Sequence, residues 1–173
     1  QTAKILYTIY IGMTLFQIIL LLIGRIPLFD TLCISFGTAG TGGFGIVNDS
    51  MGSYSTYCQV VTTIFMILFG VNFSAYYLLL TKKFVQAFKF EEVRYYFGII
   101  LAAILVIGLN TAHLFRNLGE AFQQAAFQVG SIITTTGFSS TDFSQWPSLS
   151  KTILVLLMFV GACAGSTGGG IKV

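Results

Sequence analysis

Two short stretches rich in glycine and threonine carry the chemistry that this sequence suggests most clearly. The first is Gly40-Thr41-Gly42-Gly43 and the second is Thr134-Thr135-Thr136-Gly137. Glycine tolerates the backbone angles that turn successive carbonyl groups towards one axis. Carbonyl dipoles can replace the water shell of a cation without trapping it. The two stretches are therefore predicted to be cation-binding segments of a selectivity filter, with backbone carbonyl groups as the ligands.

An internal repeat supports this interpretation. A shift of 94 residues carries Gly43-Phe44 onto Gly137-Phe138 and Thr41 onto Thr135. Each stretch follows a short apolar segment and lies between two longer ones. Internal repetition is typical of membrane transport folds. A surface turn could explain one such stretch, but it explains two equivalent ones poorly.

The composition indicates a membrane protein. Only 9% of the 173 residues are charged and 55% are hydrophobic, whereas about a quarter of the residues are charged in an ordinary soluble domain. A water-soluble enzyme domain and a disordered chain are both excluded. The basic residues are too dispersed for a nucleic-acid patch, and Cys33, Cys58 and Cys163 lack the spacing of a zinc site or a disulfide framework.

Charged residues separate the chain into segments that predict its path through the bilayer. A run of about 20 apolar residues can cross roughly 30 Å of hydrocarbon as a helix, whereas non-helical backbone at that depth must be buried in protein or line a water-filled path. We therefore predict an all-α integral membrane protein with two consecutive helix–re-entrant pore loop–helix repeats. The first repeat, residues 1–82, has spans at 5–24 and 57–81, a pore helix at 27–36 and a filter at 37–45; the second, residues 95–173, has a span at 95–115, a pore helix at 119–131, a filter at 133–139 and an interrupted inner helix at 150–173.

The distribution of basic residues predicts the orientation. The linker at residues 83–94 holds several of the nine lysines and arginines, so the positive-inside rule makes it cytoplasmic. Both loops then enter the membrane from the outside. On that side an acidic vestibule would attract cations; its residues would be Asp30, Asp49, Glu120 and Asp142.

The last apolar segment is predicted to contain a gate. Glycines cost roughly 1 kcal/mol each relative to alanine in a helix, and the three consecutive ones here should interrupt it beneath the filter. Nearby hydroxyl groups could bond the freed backbone. Close helix packing through small residues is the alternative interpretation. The predicted gate loop consists of Gly161, Gly165, Ser166, Thr167, Gly168, Gly169 and Gly170.

Three motifs resemble the Trk/Ktr/HKT superfamily of potassium transporters, most closely its bacterial TrkH-type branch. They are GTAGTGGFG (37–45), FQVGSIITTTGFSSTDFSQWP (127–147) and GACAGSTGGGIKV (161–173). The resemblance covers nearly the whole chain. It implies a pseudo-fourfold pore of four pore-loop repeats, of which this chain would be a fragment with the second repeat and most of the third. It also implies filter glycines at Gly43 and Gly137.

The same resemblance implies function, location and partners. The expected function is potassium uptake by a multi-pass protein of the bacterial cytoplasmic (inner) membrane, with potassium held by the filter carbonyls and no cofactor. The expected partners are membrane lipid, a second copy in a homodimer, and a cytosolic, nucleotide-binding TrkA-like regulatory subunit. A sodium-permeable member of the family is the alternative, because the first repeat, which distinguishes such members, is absent from the sequence.

Other classes of protein explain the residues less well. An intramembrane serine protease would use Ser166 as nucleophile and His113 as base, but the string Gly165-Ser166-Thr167-Gly168 does not match such enzymes. The glycines of 40–45 satisfy a dinucleotide-binding pattern without its acidic residue. A structural subunit that conducts no ions is the third alternative. We therefore expect a protein that is not an enzyme.

Side chains around these segments are predicted to have structural roles. Phe44 and Phe138 should pack and brace the loops that they follow. Asn72 and Asn110 should make hydrogen bonds between helices. Several aromatic residues near the ends of the spans should form interfacial belts; they are Tyr7, Tyr10, Tyr95, Tyr96 and Trp146.

Overall fold

The structure, a computed structural model, describes residues 2–82 and 90–172. Within those ranges the chain is helical and contains no strand, so the prediction of an all-α membrane protein is confirmed. The helices are α1 (Thr2–Ile23), α2 (Leu28–Ala39), α3 (Thr56–Phe69), α4 (Phe73–Leu80), α5 (Glu91–Thr111), α6 (Leu118–Ile133) and α7 (Ser148–Val160), with short 3₁₀ turns at Ala112–Leu114 and Phe143–Gln145.

Two helical segments of the described chain are long and apolar enough to cross a membrane without a break. They are Ala3–Ile23 and Glu91–Leu114, each with a mean hydropathy of 2.1. They occupy the predicted spans 5–24 and 95–115. Most of the predicted linker, residues 83–89, lies outside the described residues, and Glu91 to Arg94 already belong to α5.

The predicted span at 57–81 is not one continuous helix. It consists of α3 and α4, whose axes differ in direction by 91°. The break falls at Gly70, which caps α3, and at Asn72, whose side-chain oxygen accepts a hydrogen bond from the Ser74 amide at 2.8 Å and so starts α4. Hydropathy does not reveal the break, because the segment is apolar on both sides of it.

The inner helix at 150–173, predicted to be interrupted at its glycines, is helical only in its first half. α7 ends at Val160, and no helix resumes between Gly161 and Lys172. Gly161 adopts a φ of 75° and Gly170 a φ of 90°, and such angles end a right-handed helix. The glycines of the predicted gate loop therefore lie in irregular backbone.

The two short helices before the loops are longer than predicted. α2 continues to Ala39, so Gly37, Thr38 and Ala39 are helical and do not belong to the filter segment 37–45. Thr38 and Ala39 are fully buried, and this packing offsets the low helix propensity of the segment. α6 extends from Leu118 to Ile133, against the predicted 119–131.

The two predicted repeats, the first and second units, pack against each other through a common apolar core. α6 packs against α5 of its own unit and against α3 of the other. Phe127 and Phe138 of the second unit belong to the same buried apolar cluster as Phe65, Met66 and Phe69 of the first. The two loops are therefore held side by side by a common core.

Candidate functional site

The two predicted filter loops follow the same backbone path. The residue that ends the preceding helix has φ −87° and ψ 1° at Gly40 and φ −86° and ψ −1° at Thr134. The next residue is left-handed in both loops, with φ 51° at Thr41 and φ 57° at Thr135. A positive φ is uncommon for a residue with a side chain, so its presence at equivalent positions is a shared feature of the two loops.

Two residues further on, both loops have a glycine with a positive φ. Gly43 has a φ of 64° and Gly137 a φ of 90°. The hydrogen bonds repeat as well. The Gly42 amide donates to the carbonyl of Gly37 at 2.7 Å, and the Thr136 amide donates to the carbonyl of Ser131 at 2.9 Å. Donor and acceptor in these two pairs are related by the same shift of 94 residues as the sequence motifs.

Hydroxyl groups fix the second loop more firmly than the first. Ser131 donates its hydroxyl to the carbonyl of Phe138 at 2.6 Å, and the hydroxyl oxygens of Thr134 and Thr136 are 2.7 Å apart. All three side chains are buried. Gly37 stands where Ser131 would be in the first loop, so that loop has no matching hydroxyl.

The two loops touch each other. Gly43 lies against the carbonyl group of Thr136 so closely that no β carbon could fit between them. Further along, the Met51 amide donates to the carbonyl of Ser139 at 2.8 Å, and the Ser139 amide donates to the hydroxyl of Ser50 at 3.1 Å. By contrast, Gly137 faces open space, because a β carbon there would meet no atom within 4 Å. The structure thus brings the eight predicted filter residues into one contiguous region.

The predicted gate loop lies directly against that region. The Gly169 amide donates to the hydroxyl oxygen of Thr135 at 2.7 Å, and the hydroxyl of Thr41 donates to the carbonyl of Thr167 at 3.2 Å. A β carbon on Gly168 would lie 3.0 Å from the carbonyl oxygen of Thr134. Residues far apart in sequence are therefore joined by direct contacts between the two segments.

The break between α3 and α4 holds the other side of the gate loop. A helix end leaves backbone groups without hydrogen-bond partners inside the helix. Here residues of the gate loop are their partners. The Cys163 amide donates to the carbonyl of Gly70 at 3.1 Å, and the Phe73 amide donates to the carbonyl of Gly165 at 3.2 Å. The sequence analysis did not predict this helix break. The signal that could have indicated it is Gly70 with Asn72 two residues later, because asparagine is a preferred residue at helix starts.

Three of the four acidic residues of the predicted vestibule, Asp30, Asp49 and Asp142, accept hydrogen bonds from nearby residues. The Tyr54 hydroxyl donates to a carboxylate oxygen of Asp30 at 2.8 Å. Burial, and then this hydrogen bond, raises the pKa of Tyr54 to about 12. Asp142 accepts hydrogen bonds from Ser144, which lower the pKa of its carboxyl group. Asp30 and Glu120 lie in the first turns of α2 and α6, where negative charge stabilises a helix.

Some of the predicted side-chain roles are wrong. Phe138 is 1% exposed and packs on Gly37, but Phe44 at the equivalent position is 86% exposed and braces nothing in the described part of the chain. Tyr96 and Trp146 are buried rather than interfacial. Tyr96 donates its hydroxyl to the carbonyl of Ile67 at 3.0 Å, and Trp146 stacks edge-on against Phe115.

The predicted asparagine contacts are confirmed. Asn110 of α5 donates to the hydroxyl of Ser150 of α7 at 2.9 Å, and Asn72 donates to the carboxylate of Glu92 at 3.3 Å.

All three cysteines are free thiols. No cluster of three or more His, Cys, Asp or Glu side chains exists among residues 2–82 and 90–172, so carbonyl and hydroxyl oxygens are the cation ligands that these loops offer.

The geometry does not support a protease. The hydroxyl of Ser166 donates to the carbonyl of Cys163 at 2.6 Å, which makes it part of a turn. His113 lies in the 3₁₀ turn after α5. No hydrogen bond joins these two side chains in the described ranges.

Comparison with known proteins gives a consistent result. The family model described as "TrkH: Cation transport protein" matches residues 1–173. The Trk system potassium uptake protein TrkH of Vibrio parahaemolyticus is 33% identical over 179 residues, and that of Escherichia coli (strain K12) is 32% identical over 177 residues. Each alignment covers 100% of this chain and 37% of the relative. These relatives are named as uptake proteins and not as enzymes, in agreement with the expectation for this chain.

The fold is shared with a solved structure. The crystal structure of the potassium transporter TrkH from Vibrio parahaemolyticus superimposes with a TM-score of 0.91 and 34% sequence identity, over 99% of this chain and 38% of that one. The chain therefore spans well under half the length of the proteins that it matches.

Proposed function

This chain belongs to the TrkH family of cation transport proteins, and from that premise we propose that it forms two adjacent units of a potassium-conducting pore. In this proposal the cation path runs along the two loops, where backbone carbonyls of residues 40–43 and 134–137 bind dehydrated potassium. The observation that carries the proposal is the repeated loop geometry. Equivalent left-handed residues, equivalent glycines and equivalent hydrogen bonds give two copies of one backbone conformation, joined through Gly43 and Thr136.

The exposed Phe44 supports a ring of more than two units. Phe138 of the second loop packs on Gly37, a residue of the first unit's short helix. By the same repeat relation, Phe44 would pack on the short helix of a unit before the first one. Its 86% exposure then marks the surface where that unit docks. The proposed pore has four such units in pseudo-fourfold arrangement, and both loops re-enter the membrane from its outer face.

The gate belongs to the same proposal. The loop from Gly161 to Gly170 contacts the filter loops on one side and the break between α3 and α4 on the other. Such a plug would close the path below the filter. An always-open potassium pore would dissipate the membrane gradient, so a closing element is required.

We extend the proposal to location and partners. The relatives are named as components of a Trk system, which suits a protein that works with a second subunit. The proposed assembly is a homodimer in the bacterial cytoplasmic (inner) membrane, contacting lipid and a cytosolic, nucleotide-binding TrkA-like subunit. The proposed transport needs no cofactor.

Growth at low potassium tests the proposed function. The full-length protein should restore growth of a bacterial strain that lacks its own potassium uptake systems, and should restore uptake of rubidium as a potassium tracer. Gly98→Ala serves as the control variant, because a β carbon there meets no atom within 4 Å. Normal membrane expression without growth or tracer uptake would reject potassium transport and favour a non-conducting subunit. Equal uptake of sodium would favour the sodium-permeable alternative.

A further inference from the structure

Thr135 connects the gate loop to a carbonyl group of the filter. Its hydroxyl oxygen accepts a hydrogen bond from the Gly169 amide at 2.7 Å, and the same hydroxyl donates to the carbonyl of Thr134 at 2.7 Å. Gly169 belongs to the gate loop and Thr134 to the filter loop. One hydroxyl group therefore bridges two segments 34 residues apart in sequence.

The backbone around this bridge is tightly arranged. Thr135 has a φ of 57°, a conformation that threonine rarely adopts without surrounding restraint. Gly168 packs against the Thr134 carbonyl, since a β carbon there would lie 3.0 Å from that oxygen and only 2.6 Å from the β carbon of Ala162. The gate loop thus sits against the same carbonyl oxygen that the Thr135 hydroxyl contacts.

The equivalent residue of the first unit makes a different contact. Thr41 donates its hydroxyl to the carbonyl of Thr167 at 3.2 Å. Thr41 therefore has its donor occupied by the gate loop, and its hydroxyl has no hydrogen bond to a filter carbonyl in the described part of the chain. Of these two threonines, only Thr135 both accepts a hydrogen bond from the gate loop and donates one to a filter carbonyl in the described part of the chain.

The consequence is electrostatic. A hydroxyl has one proton, and while the Gly169 amide occupies a lone pair of the Thr135 oxygen, that proton is directed at the Thr134 carbonyl. A carbonyl that accepts a hydrogen bond presents a weaker negative field to a cation, because the donor's positive charge opposes it. Withdrawal of the gate loop frees the hydroxyl to rotate away, so the Thr134 carbonyl regains its full field.

We propose that Thr135 is a positioning residue that makes the ion preference of the filter depend on the state of the gate loop. This inference rests on the proposed function, because it assigns the loops to a filter and a gate. It adds a link between the two, by which opening the gate changes how strongly a filter carbonyl binds the ion.

A double-mutant cycle in the full-length protein tests this link. Thr167→Val loosens the gate loop without removing either hydrogen bond of the Thr135 hydroxyl, since it removes the hydrogen bond from the Thr167 hydroxyl to the carbonyl of Phe69. Thr135→Val keeps the side-chain shape and removes the bridging hydroxyl. The measurements are basal potassium flux and the potassium-to-sodium permeability ratio in liposomes, for the single variants, the double variant and Thr135→Ser.

With Thr135 intact, Thr167→Val should raise basal flux and shift the permeability ratio, each by about two- to tenfold, which is the range for the loss of one net hydrogen bond. Combined with Thr135→Val, the Thr167→Val substitution should raise flux but leave the ratio unchanged. Thr135→Ser retains the hydroxyl and should behave as the parent protein does.

Two results would overturn the inference. One is an equal shift of the permeability ratio with and without the Thr135 hydroxyl; the other is a rise in flux with no shift of the ratio in either case. If Thr135→Val does not fold, Thr135→Ala removes the same hydroxyl with a smaller side chain and decides by the same readout. Absence of potassium-selective flux from the parent protein would reject the proposed function itself, which is a different outcome.

Discussion

Gly43 places its backbone against the carbonyl group of Thr136, so that a β carbon on Gly43 would overlap that carbonyl and lie 2.9 Å from the carbonyl carbon of Gly137. This contact joins the two loops backbone to backbone. Gly137, the equivalent residue of the second loop, has no atom within 4 Å of its β-carbon position. Two residues with the same place in the repeat therefore have different neighbours.

Substitution of these glycines should reveal that difference. Gly43→Ala introduces a left-handed alanine, which costs about 1–2 kcal/mol, and also forces the loops apart. Gly137→Ala introduces only the backbone strain. Thermal unfolding of the full-length protein in detergent should show a clearly lower midpoint for Gly43→Ala than for Gly137→Ala. Equal midpoints would mean that the two loops do not touch as described.

The two phenylalanines test the proposed ring. Phe138 is buried against Gly37, and Phe138→Ala should destabilise the protein by about 3–5 kcal/mol, as is usual for a buried phenylalanine. Phe44→Ala should have a comparable effect in the full-length protein, because a neighbouring unit would cover Phe44 there.

The measurement is again thermal unfolding in detergent, with Phe138→Leu and Phe44→Leu as conservative controls. A change within about 0.5 kcal/mol for Phe44→Ala, the range of an exposed position, would show that no neighbouring unit packs on this side chain.

The helix break gives a third prediction. A β carbon on Gly70 would overlap the Tyr96 hydroxyl group and lie 2.8 Å from a methyl carbon of Thr134. Gly70→Ala should therefore destabilise the protein by about 1–3 kcal/mol, as overpacking does, and should weaken the contact between Gly70 and the gate loop. Gly98→Ala is the matched control, expected to stabilise α5 by roughly 0.5–1 kcal/mol. Equal unfolding midpoints for the two variants would contradict this packing.

Tyr54 predicts a dependence of stability on alkaline pH. Its pKa is raised from 10.0 to about 12, first by burial and then by the hydrogen bond to Asp30. The folded protein thus favours the neutral phenol more strongly than the unfolded chain does. The resulting stabilisation is complete below pH 10.0, the unfolded value, and is lost as the pH rises through about 12.

Stability measured between about pH 9 and 12 should fall less steeply for Tyr54→Phe than for the parent protein, because phenylalanine has no proton to lose. Tyr7→Phe, at an exposed position of α1, provides the control and should retain the slope of the parent. If stability fell with pH as steeply for Tyr54→Phe as for the parent protein, ionisation of Tyr54 would not be the cause of that fall.

The repeated loops could be predicted from the sequence because their chemistry depends on residue type. Only glycine fits the left-handed positions at Gly43 and Gly137 without strain, so the motif itself identifies the conformation. The uncharged runs likewise identified α1 and α5, since hydropathy is a property of the segment and does not depend on its neighbours.

The break at Gly70 and Asn72 could not be predicted from hydropathy, because what stabilises it is distant in sequence. Its freed backbone groups are bonded by Cys163 and Gly165 of the gate loop. The contrast between Phe44 and Phe138 has the same origin. Both follow a glycine in the same motif, but the residue that covers Phe138 belongs to the adjacent unit.

The potassium-to-sodium permeability ratio of the full-length protein in liposomes, compared between the parent and Gly137→Ser, tests the central claim most directly. Gly137 faces open space, so serine can be accommodated there at the cost of backbone strain while the carbonyl direction of the loop changes. The parent should prefer potassium and Gly137→Ser should lose much of that preference, with Gly98→Ala unchanged. A folded Gly137→Ser protein with the ion preference of the parent would show that these loops are not the filter.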